Sequence, residues 1–306
     1  MIDKPEGRRP VFDSAASVPS EHIGLCPGYK VDGAVWIDRH NGGSKQRTGL
    51  PVDRETVLLG PYRHVYCGHA TDEEIRYIGS SGGVLTALSL FALDCCDIDY
   101  VIHTAMDPEV PWANRTVVSR KRGDLLRAAG SRYVASSPCT AVSLIRRTPG
   151  RFVFVGKPCD IAAMRAAIRT CPLLEERVAI LLTFFCAGTP GVAGPLNLLN
   201  HLSVAPAEVT SVRFRGMGWP GRFRIRLRDG SELTMSYEDA WGFVQKHRPL
   251  RCHLCPDGVG ELADVSVGDA WNRHAHDNPG LSYVITRTDV GDALVRKAQE
   301  HGYLSL

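Results

Sequence analysis

The chain has no apolar run approaching the roughly 18 residues that a membrane span needs. Its opening stretch, MIDKPEGRRPVFDSAASVPSEHIG, has no continuous apolar core of the kind a secretory signal carries, and its Pro and Ser content reads as a loose arm. A cytoplasmic protein without a membrane partner is the expectation. An excess of charge is missing too: the formal net charge of +3 is too small to imply a surface that tracks phosphates, which shows a concentrated basic face. Nucleic acid is therefore not an expected partner. The spaced glycines of the usual dinucleotide fingerprint are absent, and CxxC occurs once, as Cys252-His-Leu-Cys255.

What is present is a chain of 306 residues, 44% apolar and 23% charged, the composition of a globular protein able to bury a large core. It carries ten cysteines. A chain of this length does not need disulfide staples, and a reducing compartment keeps thiols free, so metal or redox chemistry is favoured for some of them. Others fill space, as buried unpaired cysteines do, and Cys95, Cys96 and Cys171 read that way.

Residues 62 to 70 alternate like a strand, and Thr71 begins a polar turn before GSSGGVLTALSLFALD, a small-residue entry into an apolar helix. Backbone N–H groups freed of side-chain bulk at such an entry suit a phosphate, although close packing explains the same glycines. DYVIHTAM and RTVVS read as strands. KRGDLLRAAGSRYVASSPCTAVSLIRR reads as a helix, a polar loop and a second helix. RFVFVG at 151–156 is a short apolar strand followed by KPCD and a helix, and VAILLTFFCAG at 178–188 places Cys186 just past another buried strand. In open α/β sheets binding groups gather at the carboxyl ends of strands, so Cys159 and Cys186 are candidates for one crevice. Beyond about residue 205 the texture becomes β-rich, with an Asp229-Gly230 hairpin turn. Arg222, Arg224, Arg226 and Arg228 share one strand face there, either a solvated face or a contact for an anion.

The expected fold is thus α/β with α+β character: an N-terminal α/β lobe with a strand-end cofactor site, intimately associated with a C-terminal β-rich lobe. The boundaries fall as an arm over 1–60, an α/β region over 61–203 and a β-rich region over 204–306 that carries the CxxC. Cys159, Cys186, Cys252 and Cys255 form a four-thiol candidate set. By spacing alone a 4Fe-4S cluster, a zinc ion and no metal all stay open, because one CxxC is not a complete ligand pattern.

From about Tyr62 to Ala298 the sequence resembles the beta-subunit family of coenzyme F420 hydrogenase and dehydrogenase, flavin iron–sulfur proteins that also include 7-hydroxymethyl chlorophyll a reductase. The resemblance rests on GSSGGVLTAL at 79–88, GSRY at 130–133, VFVGKPCDIAAMR at 153–165, FFCAG at 184–188, FRGMGWPG at 214–221 and RCHLCPDGVGELADVSVGDAW at 251–271, in order. It implies FAD beside one 4Fe-4S cluster, with Cys159, Cys186, Cys252 and Cys255 as cluster ligands. It places Ser80, Ser81, Gly82, Gly83 and Val84, then Gly130, Ser131, Arg132 and Tyr133, then Gly156, Lys157 and Pro158, in the segments that wrap FAD. Arg132 is expected to help hold the phosphates. Lys157 and Asp160 are the candidate catalytic pair, Lys157 being suited to stabilise negative charge on a reduced flavin.

Many relatives carry an N-terminal ferredoxin-like stretch with several cysteines, whereas this chain has only GLCPG around Cys26, a remnant that argues against a second cluster. The implied activity couples hydride transfer at FAD to one-electron transfer through the cluster. The implied redox partner is ferredoxin, reduced deazaflavin (coenzyme F420) or a partner subunit, with the chain an oligomer or part of a complex. The competing reading is a zinc-stapled, non-catalytic binding protein with a decayed flavin site.

Overall fold

The computed structural model describes residues 2–4, 7–9, 58–137, 140–273 and 279–306. Most of the expected arm, including the stretch around Cys26, and Cys139 lie outside the described residues.

A short antiparallel hairpin, β1 (Ile2–Lys4) and β2 (Gly7–Arg9), precedes the main body. That body is built on an eight-stranded mixed sheet of order β13-β3-β12-β11-β7-β6-β4-β5. Its strands are β3 (His64–Ala70), β4 (Tyr100–Met106), β5 (Asn114–Ser119), β6 (Phe152–Gly156), β7 (Val178–Phe184), β11 (Val265–Asp269), β12 (Ser282–Thr286) and β13 (Leu304–Ser305). The four central strands, β4, β6, β7 and β11, run parallel, and the antiparallel pairs lie at the flanks. Strands buried on both faces read as continuous apolar runs, as FVFVG and VAILLTF do. Helices cover the faces: α1 (Glu73–Ile78), α2 (Val84–Cys95), α3 (Arg122–Ala128), α4 (Ala141–Arg147), α5 (Pro158–Thr170), α6 (Pro172–Arg177) and, after β12, α10 (Asp289–Glu300). One core packs α2 and α10 through Leu88, Phe91, Leu294 and Val295 against Val101, Val153 and Val265, and a second packs α5 through Ile161, Met164 and Ile168 against Phe152, Phe154 and Leu181.

A separate three-stranded antiparallel sheet holds β8 (Val209–Arg213), β9 (Arg222–Leu227) and β10 (Glu232–Ser236). It packs with α7 (Ala193–His201) and α8 (Tyr237–Val244) around Leu198, Phe214, Phe223, Ile225 and Val244. The turn between β9 and β10 uses Gly230 at φ 84°, as the Asp-Gly pair predicts. The β-rich texture after residue 205 therefore divides between two sheets. β8 to β10 form the small one, while β11, β12 and β13 complete the large one, because their apolar side chains find partners only on the buried faces of β7 and β3.

Two local readings shift. Cys171 is half-buried against the second core as expected and separates α5 from α6, but Cys95 is exposed and fills no space. Arg224 and Arg226 lie 3.7 Å from Glu232 on the cross-strand neighbour while Phe223 and Ile225 point into the core, the pattern of a solvated face.

Candidate functional site

The parallel strands β6 and β7 end side by side, Gly156 opposite Thr183. Past the first end, Pro158 opens α5 at a position where its missing N–H costs nothing, and Cys159 follows in the first turn. Past the second, the Cys186 N–H donates to the Gly258 carbonyl at 2.8 Å and so draws the loop after the CxxC onto the strand end. That loop is held by Asp257, whose buried carboxylate accepts from the N–H groups of Val259 (3.1 Å) and Gly260 (2.6 Å). The CxxC itself spans a single helical turn, α9 (Leu250–His253), and the residues after it.

Backbone donors point at two of the sulfurs. Gly188 N–H lies 3.4 Å from Cys186 Sγ, and Thr189 N–H lies 3.5 Å from Cys252 Sγ. Gly188 sits at φ 104°, and a Cβ there would fall 2.5 Å from Arg248 Cδ and 3.3 Å from Cys252 Cβ, so only glycine lets the two loops approach. Arg251 donates to Cys159 and its charge also reaches Cys255 and Cys252. Burial pushes the Cys186 thiol up to about 11, with Cys159 and Cys252 adding to the rise against the Gly188 N–H, which lowers it. Burial likewise raises Cys159, against the pull of Lys157 and Arg251. The four expected thiols thus lie within electrostatic reach of one another, Cys255 exposed and the other three half-buried. Among the described residues no three His, Cys, Asp or Glu side chains are arranged to hold a single metal ion.

Lys157 and Asp160 form one compact pair. Lys157 Nζ lies 2.8 and 2.7 Å from the two carboxylate oxygens, and its backbone N–H donates to Asp160 Oδ2 at 3.2 Å, closing a capping box on α5. Burial works to lower the Lys157 ammonium, and the attraction of Asp160 and the neighbouring thiols outweighs it, so its pKa is raised. It is a fixed positive charge at the carboxyl end of β6.

The Gly/Ser segments meet. Ser131 N–H donates to Ser80 Oγ at 2.6 Å, joining GSRY to GSSGG, and Gly82 N–H donates to Ser282 Oγ at 2.9 Å. Gly83 is the N-cap of α2 in the left-handed conformation, φ 74°, and no side chain caps the helix, so the first N–H groups beginning at Val84 lack a side-chain acceptor. Close packing also acts here: a Cβ on Gly82 would meet Gly68 O at 2.7 Å. Arg132 is placed differently from the expectation. Its nitrogens donate to Asn114 Oδ1, Val212 O, Pro111 O and Ala113 O, and burial, then the charge of Arg213, pull its guanidinium down to about 10. It anchors the loop between the two sheets. Tyr133 packs with Phe214 and Trp241 in the small lobe.

Two of the motifs, FRGMGWPG and GDAW, carry side chains to which sequence reasoning gives no role. Arg215 of the first pairs with Asp269 of the second through two contacts, 2.7 and 3.0 Å, and lies over the rings of Tyr237 and Trp271 at 4.5 and 5.1 Å. Trp219 and Tyr237 pack on Trp271, which is half exposed. The signal was an arginine and an aspartate in two glycine-containing motifs, which no periodicity connects.

Residues 65–143 match the family model for the N-terminal part of the coenzyme F420 hydrogenase/dehydrogenase beta subunit, and residues 150–306 match the model for its C-terminal part. The coenzyme F420 hydrogenase subunit beta of Methanothermobacter thermautotrophicus is 27% identical over 253 residues, covering 80% of this chain and 84% of that protein. The F420-dependent formate dehydrogenase 1 subunit beta of Methanococcus maripaludis is 24% identical over 241 residues, covering 78% of this chain and 60% of that one. Among solved structures, a chain of the F420-reducing [NiFe] hydrogenase complex from Methanosarcina barkeri superposes with a TM-score of 0.63 at 27% identity, covering 81% of this chain and 82% of that chain.

Proposed function

Because this chain belongs to the coenzyme F420 hydrogenase/dehydrogenase beta subunit family, we propose that it is a redox subunit that holds FAD and one 4Fe-4S cluster and exchanges electrons between a hydride carrier such as coenzyme F420 and a one-electron partner, ferredoxin or another subunit of a complex. Its relatives named above are subunits of hydrogenase and formate dehydrogenase, which supports an oxidoreductase role.

The observation that carries the proposal is the meeting of Cys159, Cys186 and the CxxC loop at the ends of β6 and β7, with backbone N–H groups directed at two of the sulfurs. The donor set fits an iron–sulfur cube. A zinc ion needs its thiolates converging on one point, which no trio here does, whereas in a cube each thiolate holds its own iron and the four sulfurs stand apart. Bound together, flavin and cluster would convert a two-electron hydride into single electrons.

This chain's residues have separable tasks. Cys159, Cys186, Cys252 and Cys255 would hold the cluster, and the N–H groups of Gly188 and Thr189 would temper the charge on its sulfurs. The uncapped start of α2 at Gly83 and Val84, with Ser80, Ser81, Gly82, Gly130 and Ser131 beside it, would receive the pyrophosphate of FAD. Gly156 and Pro158 shape the strand end, and Lys157, held by Asp160, would stabilise negative charge on the flavin.

Anaerobic purification followed by iron, sulfide and flavin analysis tests the proposal. About four iron, about four sulfide and about one FAD per chain are expected. Stoichiometric zinc without iron, or a chain that binds no flavin, overturns it.

A further inference from the structure

The sulfur-bearing site has an inner and an outer edge, and the two differ in chemistry. Cys159 and Cys186 belong to strand ends of the main sheet, whereas Cys255 is exposed, together with His253, Pro256 and Gly258. On either side of Cys252 stand the two most exposed large apolar side chains among the described residues, Leu250 at 73% and Leu254 at 72%. Leu254 N–H donates to Leu250 O, so the two are one helical turn apart and on the same face. A single exposed leucine is ordinary, but a pair flanking a candidate redox centre is the apolar centre of a contact patch. Its rim is basic: from Gln245 to Pro256 the chain carries Lys246, His247, Arg248, Arg251 and His253 and not one acidic residue. The next carboxylate, Asp257, is buried and faces backbone N–H groups of its own loop.

We propose that this face, centred on Leu250, Leu254 and Cys255, docks an acidic iron–sulfur protein that exchanges single electrons with the centre held by the four cysteines. The inference rests on the function proposed above and adds the location and chemistry of the partner. An apolar spot with a ring of like charge is the arrangement of a short-lived complex: the charge steers encounter with a partner of opposite sign, and the small apolar contact lets it leave. Each encounter moves one electron and no atoms. The carrier's reduced centre loses the electron and the cluster of this chain gains it, so two encounters are needed per hydride equivalent.

The test uses the purified, cofactor-loaded chain and two donors: a reduced bacterial ferredoxin, which is small and acidic, and reduced methyl viologen, which needs no docking surface. Flavin bleaching is followed by stopped flow for the wild type, Leu250→Glu/Leu254→Glu and Lys246→Glu. The double variant is expected to keep its iron and FAD content and its viologen rate but lose at least tenfold in the ferredoxin rate. Lys246→Glu should lose a smaller factor, and the wild-type ferredoxin rate should fall as salt rises. An unchanged ferredoxin rate in the double variant, or a wild-type rate indifferent to salt, overturns the proposal. A concentration-dependent dimer that the double variant abolishes while ferredoxin transfer persists also overturns it, and gives the face to a second copy of the chain. Failure of the functional reading looks different: the wild type then carries no iron or flavin and accepts electrons from neither donor, and sedimentation of the chain with oxidised ferredoxin still shows whether the face binds.

Discussion

The backbone N–H of Ser131 donates to the hydroxyl of Ser80 at 2.6 Å, tying together two Gly/Ser segments that lie 51 residues apart. This bond makes one surface out of the loop before α2 and the loop after α3, beside an uncapped helix start. Removing the hydroxyl should loosen both. For Ser80→Ala, loss of one such bond, about 1 kcal/mol, predicts FAD binding weaker by roughly five- to tenfold, with faster hydrogen exchange at the Ser131 amide. An unchanged FAD dissociation constant measured by fluorescence titration would place the flavin elsewhere.

The cysteines form a graded experiment. Cys159→Ser, Cys186→Ser, Cys252→Ser and Cys255→Ser should each lose most of the bound iron and the cluster absorbance, because a serine oxygen is a poorer ligand for iron–sulfur iron than thiolate. Cys171→Ser, in a half-buried thiol between α5 and α6, should retain both. Iron content and the paramagnetic signal of the reduced state read the series. A Cys255→Ser protein with a full cluster would remove that residue from the set.

Lys157 and Asp160 are 14% and 10% exposed at their side chains. Breaking such a pair from one side leaves an uncompensated charge, so Asp160→Ala should destabilise by about 3 kcal/mol, whereas Lys157→Met/Asp160→Leu should cost clearly less. Urea unfolding of the apoproteins gives both values. If Lys157 also serves the flavin, the double variant has a lowered flavin midpoint potential despite its better stability, and an unaltered potential would confine the pair to holding the start of α5.

His103, buried on β4 and hydrogen-bonded to Ser119 Oγ at 2.7 Å, is pulled down to about 4 by burial. In the unfolded chain it titrates near 6.5, so between about pH 6.5 and pH 4 the unfolded state binds the extra proton and stability falls as the pH drops. Above that window the contribution is complete. The wild type should lose up to about 3 kcal/mol more than His103→Gln on going from pH 7.5 to pH 4. Parallel stability curves for the two proteins would show that the ring is not buried neutral.

The sequence alone determined the local elements and the type of chemistry. Apolar runs such as FVFVG and VAILLTF must be buried on both faces, Asp229-Gly230 must turn, and ten cysteines in a chain of this size point to thiol chemistry rather than staples. The order of six motifs was sufficient to indicate the family before any geometry was known. Tertiary structure decided what those motifs do for one another. β11 and β12, which follow a β-rich stretch in the chain, left it for the large sheet because parallel pairing with β7 buries their valines and isoleucines. Arg132, a free cation by sequence, became a buried anchor once four protein oxygens surrounded it, and Arg215 found Asp269 across 54 residues. Sequence periodicity reports which face of an element is apolar. Which polar side chains share a site depends on where separate strand ends are brought side by side, and that is set by the packing of the whole sheet.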